Sequence, residues 1–262
     1  MSVAMAVGAH PDDIEFAMAG TLLLLKEAGA EIHMWNLANG CFGTAVHERE
    51  EIIELRWEEA QESARDACAA IHPPLVDDLA IVYEVALVAR VAAVVRTVKP
   101  DILLIPSPQD YMEDHSNTSR LLVTAAFARG MKNYETDPPT EPWAGDMVLY
   151  HAMPHGLRDM LRRIVRPGMY VDVEPVLDMK RAMLARHRTQ EEWLDASQGV
   201  GSYLDEMEAM SRKVGEMSGR FTFAEGWRRH SHFGFSPTES DPLKKLLKDR
   251  CWADPLYEQE LG

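Results

Sequence analysis

The first half of the chain alternates short apolar runs with amphipathic stretches, and this alternation restricts the fold more than any other feature. Residues 2–7 are apolar and stop at Gly8. Residues 16–28 read as a helix ended by Gly29. Residues 32–37 form a buried strand pattern closed by Asn39-Gly40. Residues 47–70 carry Ile53, Trp57, Ala60, Ala64 and Ala67 at the spacing of one helix face. Residues 85–98 read as a helix, 102–105 as a strand ended by Pro106, and 116–129 as a helix stopped by Gly130. Strands and helices in this order imply βαβ units. The expectation from this order is an α/β fold with a mostly parallel sheet.

The second half is less regular. Residues 147–153 and 169–173 look like strands, and 178–187 and 203–217 like helices. Met207, Met210, Val214 and Met217 lie at helical spacing and suit a core face better than a lid. The expected division is one domain over residues 1–235, with an irregular C-terminal part, and a tail over 236–262. The tail's stripe of Leu243, Leu246, Leu247 and Cys251 can dock on its own domain or on a sister subunit.

Charge and composition exclude several classes of function. The formal net charge of −15 is a poor fit to nucleic-acid backbones and anionic lipid surfaces. No stretch is long and apolar enough to span a bilayer, and no secretory signal is visible at the N-terminus. Cys41, Cys68 and Cys251 are odd in number and widely spaced, which suits a reducing compartment. The expectation is a cytoplasmic enzyme or binding protein.

In an open parallel sheet, ligands bind beyond the carboxyl ends of the strands where strand order reverses. Two loops fall at such ends: Gly8-Ala9-His10-Pro11-Asp12-Asp13-Ile14-Glu15, and the segment from Pro106 to His115. If their strands are neighbours, the loops share one crevice. A catalytic zinc takes three N/O/S ligands and keeps one position open. His10 and Asp13 can supply two ligands and His115 a third. Asp12 is then a free carboxylate where a general base for the metal's water belongs. Asp110 can orient a ligand histidine or simply start a turn. Zinc is the expected ion, although two nitrogens and one oxygen suit other divalent transition metals too. The opposing reading is an ordinary turn with solvated acids. A nucleotide site is disfavoured, because the first βα turn lacks G-x-G-x-x-G.

These residues carry a resemblance. Ala9-His10-Pro11-Asp12-Asp13 followed by Gly20-Thr21-Leu22 resembles the first motif of the PIG-L/LmbE-like zinc-dependent N-deacetylases, and Asp110 to His115 resembles their second, H-P-D-H. Arg56-Trp57-Glu58-Glu59 is similar to the family's R-x-x-E. Lys180, Ala182, His187 and Gln190 are similar to its K-x-x-A…H-x-S-Q segment. The resemblance implies a Rossmann-like three-layer sandwich that hydrolyses an N-acyl group, commonly acetyl, from an amino sugar or related conjugate. It implies His10, Asp13 and His115 as zinc ligands, Asp12 as base, and Arg56 and Glu15 as substrate contacts. It also implies subunits that assemble into a homo-oligomer.

One position departs from the pattern. The first histidine of H-P-D-H is Met112 here, and a thioether can neither donate nor carry the proton. His230, in the segment Glu225 to His232, is the proposed catalytic replacement, entering from its own or a neighbouring subunit; the opposing reading is a surface histidine. The departure keeps two alternatives open. One is a metallohydrolase on another amide, in a thiol conjugate or a non-sugar metabolite. The other is a non-catalytic metal- or sugar-binding protein.

Overall fold

Residues 4–7 and Ile102–Ile105 are buried throughout, as central strands covered on both faces must be. The computed structural model describes residues 1–198 and 203–262. Among these, one sheet contains β1 (Val3–Gly8), β2 (Glu31–Asn36), β3 (Ala70–His72), β4 (Ile102–Ile105), β5 (Val148–Ala152), β6 (Met169–Asp172), β7 (Ala224–Arg229) and β8 (Cys251–Ala253). The strand order is β3-β2-β1-β4-β5-β7-β6-β8. The strands from β3 to β5 run parallel, and β7, β6 and β8 extend the sheet antiparallel. The helices are α1 (Asp13–Ala17), α2 (Ala19–Glu27), α3 (Arg49–Ala67), α4 (Val85–Val98), α5 (Glu113–Ala128), α6 (Leu177–Leu184), α7 (Arg188–Gln198), α8 (Tyr203–Ser218), α9 (Pro242–Leu247) and α10 (Pro255–Glu260).

Strand alternation distributes side chains to two cores, which gives the expected α/β sandwich. Ala4, Ala6, Ile102 and Leu104 pack with leucines of α2, with Ala64 and Ala67 of α3, and with Met183 of α6. Met5, Val7, Leu103 and Ile105 pack on the other face against α4 and α5. No helix among the described residues is long and apolar enough to cross a membrane.

The structure departs from the sequence reading in specific places. The helix expected over 16–28 is two helices that meet at Met18. Glu225 accepts from the amides of Gly20 and Thr21 at 2.9 and 2.7 Å, so a second helix start is satisfied there. A Cβ at Gly20 would sit 2.5 Å from Val173, so that approach requires glycine. The long helix, expected to run to residue 70, ends at left-handed Cys68, and residues Ala70–His72 form β3. Helix α5 begins at Glu113 rather than Ser116, which puts His115 in its first turn. The segment containing Glu225 forms β7 rather than an irregular region. In the tail, Leu243, Leu247 and Cys251 join the core of this same chain, and β8 pairs with β6.

Candidate active site

The chain leaves β1 toward β2 on one side and reaches β4 on the other, and β1 and β4 are hydrogen-bonded neighbours. Their carboxyl ends therefore flank a reversal of strand order. The loop after β1 carries His10 to Asp13 into α1. The loop after β4 leads into α5, whose first turn holds Asp114 and His115.

His10, Asp13 and His115 each offer a ligand atom within 4.8 Å of the others. His115 Nε2 lies 3.4 Å from Asp13 Oδ1, and His10 Nδ1 lies 3.8 Å from Asp13 Oδ2. The far nitrogen of each imidazole faces a carboxylate. His10 Nε2 is 2.9 Å from Asp114 Oδ2, and His115 Nδ1 is 3.1 Å from Asp110 Oδ2. Such outer carboxylates fix the ring and aim its other nitrogen inward. Asp13 Oδ2 also accepts from the amides of Ala9 and His10 at 2.8 and 2.9 Å. Two inward nitrogens and one anchored oxygen fit a divalent metal ion by their donor chemistry.

The electrostatics follow from these contacts. Burial works to lower the His115 and His10 values, but the facing carboxylates outweigh it and raise both, His115 well above its ordinary value. Burial works to raise the Asp13 carboxyl, and the two imidazoles nonetheless hold it far below the usual range. A cation bound here competes with protons for the two rings.

Asp12 stands apart from this set. Its backbone is left-handed at φ 115°, an uncommon state for a non-glycine residue that the surrounding packing must enforce. Its Oδ2 accepts from Tyr203 Oη at 2.8 Å, and its Oδ1 lies 3.7 Å from Arg56 Nη2. Burial pushes the Asp12 carboxyl up to about 6, against the opposing charge of Arg56. Arg56 is itself buried and donates to the Pro11 carbonyl at 2.6 Å. Gly40 makes room for it: φ there is +79°, and a Cβ would lie 2.5 Å from the Arg56 side chain. Glu59 turns to the amide and hydroxyl of Thr189 at the start of α7.

A cavity of about 360 Å³ joins His10, Asp12, Asp13, Arg56, His115 and Tyr203. Asp110 also lines it, behind His115. Two expected members lie elsewhere. Glu15 is fully buried beneath the site, bonded to Ser63 and 3.1 Å from His187 Nε2, so it does not face a substrate. His230 lines a separate cavity, with its Nδ1 2.9 Å from His151 Nε2. It does not occupy the space beside Met112, which lines the first cavity itself.

Two other cavity residues escaped the sequence reading. Tyr203 meets Asp12 across 191 positions, a distance no local pattern reports. His155, 3.1 Å from Glu206, follows the carboxyl end of β5. The same strand-end rule that singled out His10 and His115 could have found it.

Comparison with known proteins agrees with this architecture. Residues 5–126 match the PIG-L family, described as GlcNAc-PI de-N-acetylase. Diacetylchitobiose deacetylase of Thermococcus kodakarensis is 24% identical over 193 residues, covering 71% of this chain and 69% of that protein. The fold is similar to N,N'-diacetylchitobiose deacetylase of Pyrococcus horikoshii, with TM-score 0.74, 20% identity, and coverage of 92% and 88% of the two chains. It is equally similar to the 4-carboxy-2-hydroxymuconate hydratase GalB of Pseudomonas putida KT2440, with TM-score 0.74, 22% identity, and coverage of 92% and 99%. A hydratase and a deacetylase thus share this architecture, and the fold alone does not choose the reaction. Residues 5–126 thus match the PIG-L family model, and the motifs of that segment converge at the ends of β1 and β4.

Proposed function

We propose that the protein is a zinc-dependent N-deacetylase that removes an acyl group, acetyl first among them, from an amino sugar or related small conjugate. One observation carries the reading: two imidazole nitrogens and a carboxylate oxygen converge in a cavity that also holds a buried carboxylate outside that set, Asp12, whose own partners are Tyr203 and Arg56. The family match and the deacetylase relative support it.

His10, Asp13 and His115 would hold the zinc ion, which when bound would supply Lewis acidity toward the acyl carbonyl and lower the pKa of water toward neutrality. The remaining work belongs to the chain. Asp12 accepts a proton from the attacking water, with Tyr203 and Arg56 orienting its two oxygens. Arg56 also ties the His10–Asp13 turn to α3 through the Pro11 carbonyl. Asp12 returns the proton to the leaving nitrogen, so that amide and water become a carboxylate and a free amine. His155 is a second group in the cavity able to hand over that proton, which Met112 cannot.

Asp12→Ala tests the assignment. The variant is expected to bind zinc as the parent does and to release acetate about 10²–10⁴-fold more slowly. Wild-type acetate release from that variant would overturn the role of Asp12. A parent protein that binds zinc and releases acetate from no N-acetylated amine would overturn the enzyme reading.

A further inference from the structure

The mouth of the catalytic cavity is apolar, and it is rigidly tied to the residues at its floor. Phe42, Leu79 and Tyr111 line it while 55%, 70% and 55% exposed. Single exposed apolar residues are ordinary, but three around one opening mark a binding surface. Phe16, Met18, Met112 and Met153 continue the apolar lining inward.

Leu79 is the most informative of the three. It is left-handed, at φ 60°, a state disfavoured for an L-residue with a Cβ. Its amide donates to Asp114 Oδ2 at 2.7 Å, and this same oxygen faces His10 Nε2. The preceding residue, Asp78, accepts from the amides of Gly40 and Phe42 at 2.7 and 3.0 Å. The dipeptide Asp78-Leu79 therefore fixes two rim side chains relative to a candidate metal ligand. Tyr111 completes the rim, its ring centroid 6.4 Å from those of both His115 and His155.

The charges at the cavity narrow the ligand further. Among the described residues no lysine lines it, and its arginine, Arg56, is directed at Pro11 and Asp12. Asp12, Asp13, Asp78, Asp110 and Glu206 are all present. Such a wall repels a phosphate and accepts a neutral amide or the ammonium product.

We propose that this mouth is an apolar subsite, and that the substrate is a neutral N-acyl amine bearing an aryl or alkyl group. Phe42, Leu79 and Tyr111 select that group. The proposal rests on the cavity being the acyl-hydrolase site. The apolar group lies against the rim, and the amide reaches past it to the floor between Asp12 and His115.

The test separates binding from turnover. Calorimetry on the zinc-loaded protein compares glucosamine with its 4-nitrophenyl β-glycoside, and acetate release compares the two N-acetylated counterparts. The aryl compound is expected to bind at least about tenfold more tightly, the equivalent of about 1.4 kcal/mol of apolar burial. Leu79→Asn keeps a residue tolerant of the left-handed backbone and replaces the apolar surface with a polar one. It and Phe42→Ser are expected to reduce the aryl preference to less than about threefold, the loss of most of that apolar contact. Equal binding of the two amines by the parent would overturn the proposal. So would an unchanged preference in both variants, or a changed oligomeric state with the preference intact. A strong aryl preference with no acetate release leaves the subsite standing and removes the hydrolase reading. Acetate release with no aryl preference does the reverse.

Discussion

Two pairs of histidines lie near the same sheet and behave as opposites. His10 and His115, beyond β1 and β4, each have a carboxylate behind them and Asp13 between them. His151 and His230, on β5 and just after β7, face each other at 2.9 Å, with Ser119 and the Pro106 carbonyl on the far nitrogen of His151. Carboxylates raise the first pair. Burial lowers the second, His151 to about 4. A buried imidazole becomes a ligand or a neutral packing group according to whether an anion or another neutral group faces it.

The largest expected effect breaks the comparison at its ligands. His115→Ala removes one of three donors and should reduce zinc retention after dialysis by more than about 100-fold, beyond what loss of an outer partner costs. His230→Ala should retain zinc at the parent level. Equal zinc loss in the two variants would erase the distinction. Next in size is Asp114→Asn, which leaves His10 in place and weakens its support. Zinc affinity is expected to fall by about 10–100-fold, measured by competition with a chelator.

The pH dependence of stability sharpens the contrast further, because the two pairs act with opposite sign. The folded value of His151, about 4, lies below its ordinary 6.5. Between those values the unfolded chain binds more protons, so His151 makes the protein less stable as pH falls from 6.5 to 4. The loss is about 3 kcal/mol by its end, following the linkage slope. Urea unfolding at pH 7 and pH 5 should show this dependence in the parent and a flatter one in His151→Gln. In the zinc-free protein, His115 contributes in the other direction. Its folded value is raised, so its contribution is complete below 6.5 and is lost as pH rises through that higher value. His115→Gln should remove that alkaline loss and leave the acid-side dependence of His151 intact.

The two halves of the molecule were unequally legible in the sequence. Helix α4 and strand β4 fall where periodicity sets them, since each is a local run bounded by a strong terminator. Strand β7 was not visible, because Ala224-Glu225-Gly226-Trp227-Arg228-Arg229 has no alternating pattern. Its polar Glu225 is buried only because Lys180 and the start of α2 meet it, at 2.6 Å in the case of Lys180. The break at Met18 was hidden for the same reason: the group that caps the second helix comes from residue 225.

The site divides along the same line. His10, Asp12, Asp13, His115 and Asp110 stand in two short motifs at strand ends, and their chemistry was readable one loop at a time. Glu15 and His230 belong to equally suggestive stretches, yet one lies under the site and the other beside His151. Tyr203 and His155 enter the cavity from segments that carry no motif. By itself the sequence determined the βαβ order, the acids and histidines at the strand ends, and the missing proton donor at Met112. Those depend on spacing along the chain. Tertiary structure alone decided that β1 and β4 are neighbours, which carboxylate backs which imidazole, and that an apolar rim surrounds a charged floor. Each of these is a contact between residues distant in sequence, and local propensity is blind to such contacts.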